Sequence, residues 1–204
     1  MNEEEAHRWI VERFGDAGEA RMASLAGLVS AEAARQNLVA PSTLAMMWSR
    51  HIVDSAQLIE FAADTPGDWL DIGTGAGFPG LVVAALTDRK VTLVEPRRRR
   101  AAFLEDAAKA LGISEQVTVI AAKVEGVTMS AAVISARAVS PLAILFGSAL
   151  QCSRRKTLWI LPKGQSAREE IASAEQTWHG VFHVEHSVTN PESLIVLAKG
   201  VTRR

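Results

Sequence analysis

Trp69-Leu70-Asp71-Ile72-Gly73-Thr74-Gly75-Ala76-Gly77-Phe78-Pro79-Gly80 is the stretch whose reading decides the fold. A short apolar run reaches a carboxylate, four glycines follow within eight positions, and Leu81-Val82-Val83-Ala84-Ala85-Leu86 restores the apolar character. That order predicts a buried strand, a tight turn and a helix starting near Pro79, whose fixed φ and missing N–H suit a first helical turn. Glycine permits positive φ and lets a ligand approach bare backbone. The helix N-terminus behind the turn offers free N–H groups. The stretch reads as a turn for a nucleotide-type cofactor.

Outward from it, strand-like and helix-like segments alternate. Strands are expected at 69–72, 90–95, 117–121, 131–136 and 157–162, and helices at 79–87, 97–111, 140–152 and 166–177. Such alternation implies a parallel sheet covered on both faces. Two β-rich segments, Val181 to Val188 and Leu194 to Ala198, are joined through Asn190-Pro191 and predict an antiparallel edge. The stretch before the turn looks helical, with Trp9, Ile10, Phe14, Met22, Leu25, Leu28 and Val29 at spacings of three and four. Gly15 and Gly18 are expected to separate two helices there. A break at Asn37 to Pro41 precedes a further helix, with Ser42 or Thr43 as its cap and His51, Val53, Leu58 and Ile59 along it. The division expected is a helical extension over 1–64 and a sheet domain over 65–204, packed as one unit.

The chain has 204 residues, 48% of them hydrophobic and 22% charged, with formal net charge −1. That suits one domain with an appendage and a sizeable core. No apolar run approaches the roughly 18 residues of a membrane span. The acidic start, Met1-Asn2-Glu3-Glu4-Glu5, lacks the layout of a secretion signal. The lone Cys152 excludes an internal disulfide and a cysteine zinc site. A cytoplasmic, monomeric protein without membrane partner or metal is expected. The neutral total hides an asymmetry: Arg89, Lys90 and Arg97-Arg98-Arg99-Arg100 stand against Glu95 alone, and Arg154-Arg155-Lys156 follow. Local basic patches on a neutral protein suit an anionic partner met on one face; a solvated helix surface is the plainer explanation of either run.

The glycines alone leave the cofactor open. Gly75 to Gly80 fits the dinucleotide expression G-x-G-x-x-G, and Gly73 to Gly77 fits the G-x-G-x-G turn for S-adenosylmethionine (SAM). Glu95 ends the next strand, where either cofactor needs an acceptor for its ribose hydroxyls. Three features favour SAM. Asp71, just before the turn, can meet a cationic amino group and would repel a pyrophosphate. Strand-forming sequence comes last, in place of a second mononucleotide-binding half. Lys123-Val124-Glu125 follows the third strand, where a backbone N–H can read an adenine edge.

Absences narrow the chemistry further. Exocyclic adenine methylation commonly uses Asn/Asp-Pro-Pro-Tyr/Phe after the fourth strand, where this chain has Ser135-Ala136-Arg137-Ala138-Val139-Ser140-Pro141 and no tyrosine anywhere. Pyrimidine C5 methylation needs a cysteine nucleophile, and Cys152, at a helix end, reads as packing. What remains is an atom already nucleophilic. Guanine N7 is one: it has a lone pair and no proton to lose, so positioning rather than a general base would carry the catalysis. This permits N7 without selecting it.

Several segments together resemble one family. Asp71 to Gly80 with its Phe-Pro-Gly ending is similar to the signature of the RsmG (GidB) family, as are Asn37-Leu38, His51-Ile52-Val53-Asp54-Ser55, Glu95-Pro96 with the basic run, Phe103-Leu104, Val124-Glu125, Ser135 to Ala138 and Pro162-Lys163-Gly164. The resemblance implies a Rossmann-like class I SAM-dependent methyltransferase with a mostly parallel seven-stranded sheet. It also implies a bacterial enzyme that methylates N7 of a guanine in small-subunit (16S) ribosomal RNA and leaves S-adenosyl-L-homocysteine (SAH). By matching position, Gly73, Phe78, Val124, Glu125 and Arg137 would contact SAM, beside Asp71, Gly75 and Glu95 from the residues themselves. Asn37, His51, Arg97, Arg98, Lys123 and Lys163 are the candidates for RNA or the small ribosomal subunit. Two departures stand out: Lys123 replaces a usual arginine, losing bidentate phosphate geometry, and Val39 replaces the threonine of Asn-Leu-Thr. Two other classes stay in view, a non-catalytic SAM-binding assembly factor and an NAD(P) oxidoreductase.

Overall fold

The computed structural model describes residues 1–204. Seven strands form one sheet: β1 (Trp69–Ile72), β2 (Val91–Val94), β3 (Val117–Ile120), β4 (Val133–Ala136), β5 (Leu158–Lys163), β6 (Trp178–His186) and β7 (Leu194–Arg203). Their order is β3-β2-β1-β4-β5-β7-β6. The first five run parallel, and β7 is antiparallel to both β5 and β6. The hairpin from the C-terminal pair therefore inserts its second strand between β5 and β6. Strand order reverses between β1 and β4, and a crevice at the carboxyl ends of the strands is expected there.

Successive residues of a strand point to opposite faces, so each strand feeds two cores. Trp69, Val91, Leu93, Val133 and Ile160 join one buried cluster with α1 (Glu3–Ala33), α4 (Gly80–Leu86) and α5 (Arg98–Ala110). Leu70, Ile72, Ile134, Trp159 and Leu161 join the other, under α6 (Leu142–Ala149) and α7 (Ala167–Ala174). α1 opens on a reciprocal cap between Asn2 and Glu5 and breaks at Gly15 alone (φ 66°, ψ −179°); Gly18 is helical, so the expected two-glycine separation is a single hinge.

The next helical run differs from the regular helix expected. Pro41–Met46 is 3-10, Trp48–Val53 is a π-helix, and only α2 (Asp54–Ala56) and α3 (Leu58–Phe61) are regular. Neither Ser42 nor Thr43 caps it; Thr43 Oγ1 instead donates to Ala40 O at 2.8 Å. The run is anchored from both sides. The Glu3 carboxylate accepts from Trp48 N, Ser49 N and Ser49 Oγ at 2.7–2.9 Å. Gln57 donates to Ser187 Oγ at 3.0 Å and accepts from Val188 N at 2.9 Å, in the β6–β7 turn. The N-terminal helices are thus part of the main core. No helix is long and apolar enough to cross a membrane.

Candidate active site

The turn after β1 is built around a buried carboxylate. Asp71 is fully buried. Its Oδ2 accepts from Gly80 N at 3.0 Å and from Thr74 Oγ1, and its Oδ1 accepts from Ser135 Oγ at 2.6 Å. Ser135 in turn accepts from Trp69 Nε1 at 2.8 Å. Burial pushes the Asp71 carboxyl up to about 7, against the Ser135 and Gly80 hydrogen bonds and the Arg137 charge. Asp71 was expected to meet the cofactor's amino group directly. It faces the turn instead, because three donors from β4, the turn and the start of α4 take up its oxygens. Gly80 is held so close that a Cβ there would stand 2.2 Å from Leu93 Cδ2. Gly73 has φ +66°, and a Cβ on it would stand 2.6 Å from Val139 Cγ2. A side chain at Gly73 would be strained and would close the cleft's floor.

An open cleft of about 760 Å³ lies above this turn. Its walls include Gly73, Gly75 and Phe78 from the turn, His51 and Asp54 from the helical run, Arg137 to Pro141 after β4, and Lys163 at the end of β5. Glu95, Val124 and Glu125 lie outside it, at the ends of β2 and β3. Glu95 Oε2 accepts from Gly75 N at 3.0 Å and Oε1 from Arg97 N at 2.9 Å. A carboxylate has lone pairs left after these two bonds, so Glu95 still fits a ribose diol. Val124 opens a 3-10 turn, Val124–Gly126, whose first N–H groups have no partner within the turn. The carboxyl ends of β1, β2 and β3 therefore offer, in sheet order, a bare turn, a carboxylate and free N–H donors. That set suits the amino-acid, ribose and adenine parts of SAM.

Arg137 leaves β4 into the densest polar cluster. Nη1 donates to Arg50 O at 3.0 Å and Asp54 Oδ2 at 3.2 Å, and Nη2 donates to His51 Nδ1 at 3.0 Å. The His51 ring stacks on Phe78 with centroids 5.1 Å apart. Its pKa is lowered to about 4 by burial and by the Arg137 and Arg50 charges. Asp54 Oδ1 also accepts from Gln57, Ser187 and Thr189.

The RNA candidates fall into exposed and internally bonded groups. Arg97, Arg98 and Lys123 are exposed. Lys163 is not free for phosphate as expected: its Nζ pairs with Glu170 at 2.9 Å and donates to Ser140 O at 2.7 Å, which fixes the loop after β4. Asn37 is exposed and contributes its backbone, as Asn37 O accepts from Arg100 Nη2 at 2.5 Å. His51 is held by Arg137 and Thr43. Part of the basic sequence is structural: Arg89 donates to the carbonyls of Ala62, Thr65 and Gly67, and Arg154 binds Ser130. Three further residues stand in the cleft wall: Arg100, legible in the sequence only as part of the basic run, Thr43, legible only as a cap candidate, and Arg50, which nothing in the sequence singled out. Helix phase points to Arg100, which lies one turn before the buried Leu104. Cys152 is buried, donates to Val127 O at 3.4 Å and has its thiol pushed up by burial.

Crystal structures with the same fold include an O-methyltransferase from Bacillus cereus in complex with SAH, with TM-score 0.59 and 13% identity over 87% of this chain and 90% of that one. A mutant of MtNAS in complex with S-adenosylmethionine gives TM-score 0.60 and 14% identity over 88% of this chain and 71% of that one. Among curated relatives, the ribosomal RNA small subunit methyltransferase G of Novosphingobium aromaticivorans is 48% identical over 98% of this chain and 89% of its own length. The proteins of the same name from Erythrobacter litoralis and Zymomonas mobilis are 44% and 42% identical over 97% of this chain, covering 96% and 94% of their own lengths. The family described as GidB, rRNA small subunit methyltransferase G, matches residues 19–193. The chain belongs to that family.

Proposed function

We propose that the chain methylates N7 of a guanine in small-subunit (16S) ribosomal RNA, with SAM as methyl donor. The observation that carries this reading is the state of the titratable groups around the cleft. The bases facing it are already occupied. The lone pair on His51 Nδ1 accepts from Arg137, Asp54 is surrounded by four donors, and Glu170 is paired with Lys163. Such a site suits an acceptor atom with no proton to surrender.

Bound SAM supplies an electrophilic methyl on a sulfonium centre. The residues present hold and orient. Gly73 and Gly75 give close access to the turn, Glu95 takes the ribose hydroxyls, the turn at Val124 and Glu125 receives the adenine, and Arg137 faces the cofactor's charged end. The loop from Ala138 to Pro141, fixed by Lys163 and Glu170, forms the wall against which the target base is placed. Arg97, Arg98 and Lys123, exposed around the carboxyl edge of the sheet, take RNA phosphates, which fix register and orientation without reading sequence. Rate enhancement then comes from in-line alignment rather than from proton transfer.

The test is transfer of label from methyl-labelled SAM to small ribosomal subunits from a strain lacking the modification. Label is expected in the RNA, and a Gly73→Asp variant should transfer none. Binding to the subunit without turnover would mark a non-catalytic assembly factor and overturn the reading.

A further inference from the structure

The cleft cluster contains a histidine whose hydrogen bonds define one direction of proton donation. A guanidinium has only donors, so the 3.0 Å contact between Arg137 Nη2 and His51 Nδ1 requires a lone pair on Nδ1. The ring proton is therefore on Nε2 and donates to Thr43 Oγ1 at 2.9 Å. Thr43 passes the polarity on, donating to Ala40 O at 2.8 Å. The arrangement needs the neutral ring throughout. The groups facing His51 agree: burial first, then the Arg137 and Arg50 charges, disfavour its cation, and Glu3, which favours it, contributes less than these, while Asp54 spends its charge on Arg137.

The same cluster fixes the guanidinium in space. Arg137 Cζ stands 5.5 Å from the Phe78 ring centroid, on which His51 also stacks. Arg50 O and Asp54 Oδ2 take both Nη1 protons, and His51 takes one on Nη2. Nε–H and the second Nη2–H have no partner in the protein, and Arg137 lines the cleft. A pair of that kind matches a carboxylate. His51 lies in the π-helical turn Trp48–Val53 and Asp54 directly follows it, and π turns recur at functional sites.

We propose that His51 is a positioning residue for the cofactor: its Nδ1 orients Arg137 so that the two unpartnered N–H groups meet the carboxylate at the amino-acid end of SAM. This rests on the reading that the cleft holds SAM. His51 neither touches the reacting atoms nor moves a proton.

The test is a double-mutant cycle read by calorimetric SAH affinity, with thermal melts as a folding control. Arg137→Met should weaken SAH about tenfold, roughly 1.4 kcal/mol. His51→Leu, which removes the acceptor, should weaken it about fivefold. His51→Asn, whose Oδ1 can take the place of Nδ1, should recover most of that loss. In the Arg137→Met background His51→Leu should cost less than twofold more, since residues acting through one another are not additive. Should His51→Leu not fold, Thr43→Val, which frees the ring, should weaken SAH about threefold and add nothing to Arg137→Met. Losses that multiply, or a His51→Leu protein that binds SAH like wild type, overturn the proposal. Wild-type protein that binds no SAH overturns the cofactor reading itself. Tight SAH binding without RNA methylation overturns only the RNA reading.

Discussion

Asp71 governs the turn from behind it. Its carboxylate ties β1 to β4 through Ser135, to the turn through Thr74 and to the start of α4 through Gly80. Asp71→Asn replaces the group on which these three contacts converge and should cost about 1–3 kcal/mol in urea denaturation near pH 4. The effect should depend on pH. The folded-state pKa is raised from 3.8 to about 7, so the folded protein binds the Asp71 proton more tightly than the unfolded chain. Its stabilising share is complete below about pH 4 and falls as pH rises toward 7. The stability gap between wild type and Asp71→Asn should therefore be widest near pH 4 and narrow toward pH 7. A gap that widens over that range contradicts the assignment. The sequence singled out Asp71 by its place before the first glycine but not its orientation, since one residue's position cannot reveal three donors arriving from other elements. Arg100 is the converse case: it was legible as a charge, and only the phase of its helix distinguishes it from its exposed neighbours.

At the scale of elements, α5 begins with a division of labour. Arg99 and Arg100 reach back to the backbone of Arg35 and Asn37 and hold that loop beside the glycine turn. Arg97 and Arg98 are exposed, and their side chains have no partner in the chain. Cations at a helix N-terminus oppose its dipole, so helix stability does not account for them. Replacing both with Glu should raise KM for the RNA at least tenfold and flatten its salt dependence by about two phosphate contacts. SAH affinity should stay unchanged, and a parallel loss of SAH affinity would place these residues at the cofactor instead. Strands and helices from Trp69 to Ala174 were legible to within about three residues, because strand and helix periods differ, whereas β7 continues past the expected Ala198 to Arg203. The 3-10 and π turns of 41–53 were not, since the residues that favour them also favour an ordinary helix, and the anchors Glu3 and Ser187 to Thr189 lie far away in sequence.

At the scale of the molecule, strand–helix alternation predicts the parallel part of the sheet and the terminal β pair its antiparallel edge, while the order β3-β2-β1-β4-β5-β7-β6, with β7 between β5 and β6, is visible only in the structure. What the alternation could not reveal is how fully the first 64 residues join the core. Ile10, Met22, Leu25 and Val29 of α1 are completely buried in the cluster that contains α4 and α5. Deleting residues 1–33 should leave a protein with no cooperative melt by circular dichroism, whereas a folded, SAH-binding remainder would show α1 to be dispensable. Sheet, cleft and basic edge converge on one chemical outcome, so the identity of the methylated atom tests the account most directly. Wild-type protein is incubated with SAM and small subunits lacking the modification, the RNA is digested to nucleosides, and the product is identified by mass spectrometry. One 7-methylguanosine per 16S RNA is the expected result. A methyl group on any other atom, or none, would contradict it.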